Sequence, residues 1–171
     1  MKKLIILALA VVMAGTMAAC GMDVGGTPSG GSASAASSQA SKPSADSYGD
    51  NLAGLEKYLA DNSVISGSPT KMQAEFIGAK GGDKYQVSFN GNNNVTVELY
   101  EFDPKNLNDT AKQIIESVKK DGVFSIMDQK VPAALSANEK YLMIYKDSNT
   151  ADQNKAHEKD AVKLFQEFKK S

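Results

Sequence analysis

A chain of 171 residues, 42% hydrophobic and 23% charged, can build one ordinary core and hardly two. All 19 basic residues are lysines, set against 20 acidic ones, and without arginine or a net positive charge the usual means of gripping phosphate and guanine are missing, which argues against nucleic acid as a partner. One cysteine, Cys20, and one histidine, His157, exclude an internal disulfide framework, a CxxC redox pair and a metal centre built on several thiolates or imidazoles.

The chain opens on the short positive stretch Met1-Lys2-Lys3. An uncharged apolar run over residues 4–14 follows, and then small, weakly polar residues over 15–19. This is the layout of a secretory signal peptide. A spanning helix needs roughly 20 apolar residues to cross about 30 Å of hydrocarbon. Residues 4–19 offer only 16 before a glycine- and serine-rich stretch begins.

The run ends in Met17-Ala18-Ala19-Cys20-Gly21, which resembles the lipobox of bacterial lipoproteins, with methionine where leucine is usual three residues before the cysteine. In that class the cysteine sulfur receives a diacylglyceryl group, and a dedicated peptidase cuts on its N-terminal side. The resemblance implies a signal peptide over residues 1–19 and a lipid on Cys20, the first residue of the mature chain. It also implies residence on the extracytoplasmic face of the cell membrane. Gly21 stands where an aspartate is associated with inner-membrane retention, so in a cell with two membranes an outer-membrane destination is open. Two or more acyl chains, at about 0.8 kcal/mol per buried CH₂, would make the attachment stable.

Residues 21–47 are built largely from glycine, serine, alanine, proline and threonine, with almost no large apolar side chain. Such a segment cannot bury enough surface to offset the entropy of ordering, and it reads as a flexible linker with a reach of roughly 30 Å. Loss of Lys2 and Lys3 with the leader leaves 17 lysines against 20 acids, a charge of −3, so attachment to anionic lipid would fall to the acyl group rather than to electrostatics.

Residues 48–171 are predicted to form a single domain. Asp50 as N-cap and Leu52, Leu55 and Leu59 at helical spacing predict a first helix ending near Asn62. Ser68-Pro69 predicts the start of a second, shorter helix with Met72, Phe76 and Ile77 buried and Gly81-Gly82 as its stop. The period then changes to two. Tyr85, Val87 and Phe89, and then Val95, Val97 and Leu99, flank the turn-forming residues 90–94 and predict an antiparallel hairpin. Leu107, Ala111, Ile114, Ile115 and Val118 predict an amphipathic helix stopped by Gly122. Val123, Phe124 and Ile126 predict a strand, residues 131–135 an edge strand containing Pro132, and residues 141–145 a deeply buried one. Ala161, Val162, Leu164, Phe165 and Phe168 give a last helix its apolar stripe. The order predicts an α+β fold, a mostly antiparallel sheet packed by helices on one face in a two-layer sandwich.

Chemistry-bearing residues are sparse. His157 sits among Lys155, Glu158, Lys159 and Asp160 and reads as part of a solvated helix face. Asp147, Asn149 and Glu158 fall at positions 1, 3 and 12 of a calcium loop, but Ala151 and Asp152 stand where an oxygen ligand and the turn glycine are required. Gly78-Ala79-Lys80-Gly81-Gly82 lacks phosphate-loop spacing and reads as a turn, and residues 90–94 as a hairpin loop whose amides could face a polar ligand such as a glycan. Glu98 and Glu101 fall on opposite faces of a regular strand, which leaves paired-carboxylate catalysis unsupported. Tyr100 and Phe102 imply a bulge or burial on both sides of the sheet. No catalytic set, metal site or cofactor is predicted. The expectation is a membrane-anchored binding module for a protein or envelope component, with an envelope hydrolase as the alternative.

Overall fold

The structure, a computed structural model, describes residues 43–170. The predicted signal peptide, Cys20 and the linker as far as residue 42 lie outside the described residues. A 3-10 turn, Ala45–Ser47, falls within the span assigned to the linker and leads into buried Tyr48. The Tyr48 hydroxyl donates to Asp61 at 2.9 Å, and its ring meets that of Tyr58 edge-on at 5.3 Å.

Helix α1, Leu52–Asp61, is capped by Asn51, whose side chain accepts the Gly54 N–H at 2.8 Å. The predicted cap, Asp50, is one residue too early and instead accepts a hydrogen bond from the Tyr141 hydroxyl at 2.7 Å. Leu55 and Leu59 are fully buried, each stabilising the fold by about 2 kcal/mol.

The predicted second helix does not form. The chain after Pro69 is extended as β1, Thr70–Lys71, and then makes only a 3-10 turn, Ala74–Ile77. Gly78, in the left-handed conformation with φ 72°, ends that turn. Gly81-Gly82 are not a stop but the start of β2, Gly81–Val87. A side chain at position 82 would lie 2.6 Å from the Tyr100 ring, so glycine is what lets this ring cross the strand.

β2 and β3, Val95–Glu101, form the predicted antiparallel hairpin, in register Val87↔Val95 and Tyr85↔Val97. Helix α2, Asp109–Asp121, begins where the Asn108 side chain accepts the Ala111 N–H at 2.8 Å and ends at left-handed Gly122. β4, Val123–Ile126, and β5, Gln129–Pro132, form a small separate hairpin closed by Met127 and Asp128, both at positive φ. The single edge strand predicted over 131–135 is therefore divided. Pro132 ends β5, the Ala133 N–H donates to the Gly122 carbonyl at 2.9 Å, and β6, Ala134–Leu135, joins the main sheet. β7, Tyr141–Asp147, pairs along all of β3, and α3, Asp152–Gln166, follows.

The main sheet has the order β1-β2-β3-β7-β6 with every pairing antiparallel, in an α+β fold. Alternation along β3 and β7 divides the core. Val95, Val97, Leu99, Tyr141, Met143 and Tyr145 pack with residues of α1 and α3 such as Leu55, Leu59 and Phe165. Tyr100, Phe102, Leu142 and Ile144 pack with Ala111, Ile114, Ile115 and Val118 of α2 and Phe124 of β4. α1 and α3 thus supply the expected helical layer, and α2 with the small hairpin covers the opposite face as well. Burial on both sides also accounts for Tyr100 and Phe102 without a bulge.

Candidate functional site

The 3-10 turn, α2 and β4 enclose an open groove of about 390 Å³ on the α2 side of the molecule. Phe76 and Ile77 come from the turn, Thr110, Gln113, Ile114 and Ser117 from one stripe of α2, and Phe124, Ser125 and Ile126 from β4, with Met127 at the hairpin tip. Ile77, Ile114 and Phe124 belong to the core and form the floor. Phe76, 61% exposed, and Met127, 81% exposed, stand at the rim as the large apolar side chains left in solvent among the described residues. None of the ten lining residues is charged.

Local chemistry holds the walls in place. A side chain at Gly78 would come within 2.3 Å of Asn108 Oδ1, so the left-handed glycine closes the turn directly on the cap of α2. On the far wall, the Ser117 hydroxyl donates to the Val123 carbonyl at 2.7 Å and ties α2 to the start of β4.

Charged residues concentrate elsewhere, at the end of the sheet where β3 stops and β7 begins. Lys140 Nζ lies 3.3 Å from Glu101 Oε1 and 3.4 Å from Asp50 Oδ1, and Lys80 Nζ lies 3.7 Å from the same Glu101 oxygen. Burial works to raise the Asp50 pKa, but the Tyr141 hydroxyl and Lys140 outweigh it and hold the carboxyl below its ordinary value. Burial and Asp50 together push the Tyr141 hydroxyl up. These charges are matched to one another and clasp the start of α1 to the sheet.

A second cluster lies where α1 crosses β2. Asp83 is fully buried, and its Oδ2 accepts from Lys71 Nζ at 2.7 Å. Its other oxygen, Oδ1, and Glu56 Oε1 are both buried without a donor, which is how two carboxyl groups stand when they share one proton. Burial first, and then the Asp83 carboxyl, push Glu56 up to about 7, against the opposing pull of Tyr85 and Lys71. Glu56 thus holds its proton well above the ordinary carboxyl range, beside the Lys71–Asp83 ion pair.

The residues singled out in the sequence are dispersed. His157 is half-buried rather than on a solvated face, with its ring stacked on Phe89 at 3.8 Å and Nδ1 2.8 Å from the Tyr145 hydroxyl. Burial holds the Tyr145 hydroxyl up to about 12. Asp147 accepts from Asn94 Nδ2 at 2.7 Å, the Asn149 N–H at 2.8 Å and Asn154 Nδ2 at 2.7 Å, so its oxygens are occupied by donors. Asn94 also bonds both backbone groups of Phe89. The asparagine-rich loop is thereby wired to the start of α3 instead of offering all its amides outward. Glu98 accepts from the Tyr100 hydroxyl at 3.1 Å on the α2 side, while Glu101 meets Lys140 on the other. Among the described residues no three histidine, cysteine or acidic side chains are placed to hold a metal. Cys20 lies outside the described residues.

Sequence reasoning missed both the groove and the Glu56–Asp83 pair. The spacing around Phe76 predicts a buried helix position, whereas the chain leaves it exposed, and Met127 carries no signal beyond its place between two strands. No family model, curated protein or solved structure matches this chain.

Proposed function

We propose that the protein is a lipid-anchored extracytoplasmic binding module, held to the membrane through Cys20 and engaging a protein or envelope component without chemical turnover. The observation that carries this reading is the leader, with a positive start, an apolar run too short to span and Met17-Ala18-Ala19-Cys20 at its end, where the chain has its one cysteine. The binding half of the reading draws support from the uncharged groove, which leaves Phe76 and Met127 in solvent next to a well-packed floor.

Metabolic labelling with a palmitate analogue, followed by fractionation, tests the anchor. The native chain is expected to take up label and sediment with membranes, and Cys20→Ser to lose the label and accumulate as an uncleaved or soluble species. An unmodified thiol in the native material, or equal membrane association of the variant, would refute the proposal.

A further inference from the structure

The geometry points to the groove between α2 and β4 as a site for an extended, uncharged polypeptide segment of a partner protein, which adds to the free edge of β4 as a third strand. This rests on reading the domain as a binding module and names the partner that its open face fits.

The first observation is the backbone edge. Among the described residues β4 pairs only with β5, and a two-residue turn closes the hairpin on the pair Ile126↔Gln129. Hydrogen-bonded and non-bonded pairs alternate along an antiparallel ladder, so the closing pair and Phe124↔Val131 exchange bonds while Val123 and Ser125 turn their N–H and C=O outward. Pro132 opposite Val123 agrees with this phase, because a residue without an N–H fits only a non-bonded position. The Val123 carbonyl is taken by Ser117. The Ser125 N–H and C=O remain, on an exposed residue that lines the groove.

The second observation is charge. In a chain with 23% charged residues, the groove lining contains none. A charged segment seated there would lose water and find no counter-charge, whereas an uncharged one would meet the hydroxyl and amide groups of Thr110, Gln113 and Ser117 on the α2 side. An extended segment presents alternate side chains to one face, so one apolar side chain can settle on the floor between Phe76 and Met127 while its backbone pairs with Ser125. Beside the edge strand β6 of the main sheet, by contrast, the lining includes the charged Lys119 and Glu139.

The test uses the full chain, ¹⁵N-labelled and held in lipid nanodiscs, titrated with a short blocked peptide alternating threonine and valine. Saturable shifts are expected in the amides of Ser125, Thr110 and Gln113. The same peptide N-methylated at alternate amides, or carrying aspartate in place of the central valine, should bind at least about tenfold more weakly. Ser125→Pro removes the outward N–H at a position that takes no part in the hairpin ladder, and Gln113→Lys puts a charge on the exposed groove wall. Each should weaken the peptide by a similar factor while the remaining spectrum stays in place.

Equal binding of the N-methylated peptide would overturn strand addition, and so would the absence of saturable shifts. Shifts at these amides that grow with protein concentration alone would assign the face to a second copy and overturn it too. Shifts confined to another face would sink the groove while leaving the binding-module reading intact, and the lipid label on Cys20 is read separately from all of them.

Discussion

Glu56 and Asp83 meet at a half-dry site where only one of them can ionise comfortably, and the shared proton makes the fold sensitive to pH. An unfolded glutamate releases its proton near 4.5, whereas in the folded chain Glu56 holds it to about 7. The folded state therefore binds more protons within that window, and stability should fall as pH rises from about 4.5 to about 7. After allowance for the solvent that reaches Glu56, the effect should amount to about 1–2 kcal/mol. Glu56→Gln keeps a donor toward Asp83 without a titratable proton and should flatten the slope. Urea unfolding of both proteins at about pH 5 and about pH 8 measures it, and a wild-type stability that rises over this interval would contradict the shared proton.

At the level of elements, legibility followed periodicity. The β2–β3 hairpin and α2 came through because their apolar residues recur at two or at three to four positions and their ends carry turn or capping residues, and α3 on its apolar stripe alone. The continuous apolar run of β7 signalled a deeply buried strand, and in the fold both of its faces are covered, by α1 and α3 on one side and α2 on the other. Failures came where tertiary contact overrode local chemistry. Ser68-Pro69 looks like a helix start, yet Lys71 is drawn to Asp83 and the chain pairs as β1. Gly81-Gly82 looks like a stop, yet glycine is there for the Tyr100 ring. The groove was invisible because its rim joins residues about fifty positions apart, Phe76 and Met127, through a junction that no linear pattern records. That junction is testable. Gly78→Ala must hold φ 72° with a side chain pressed on Asn108 Oδ1 and should cost about 2 kcal/mol or more in chemical unfolding, far beyond the few tenths typical of an exposed position. A variant as stable as wild type would mean that the turn and the α2 cap are not coupled in this way.

At the scale of the whole molecule, every core residue among the described residues falls between Tyr48 and Phe168. The domain should therefore keep its fold without what precedes it. A chain beginning at Pro43 is expected to melt within about 2 °C of the full chain, as followed by circular dichroism. A much lower midpoint would show that the preceding residues contribute to the packed structure.

The main sheet ends on both sides in strands of two residues, Thr70–Lys71 and Ala134–Leu135. Ribbons so brief offer no template along which one molecule could recruit the next into a fibril. Even when copies are concentrated, edge-to-edge extension of the main sheet is disfavoured, and Lys71 at one margin adds electrostatic discouragement.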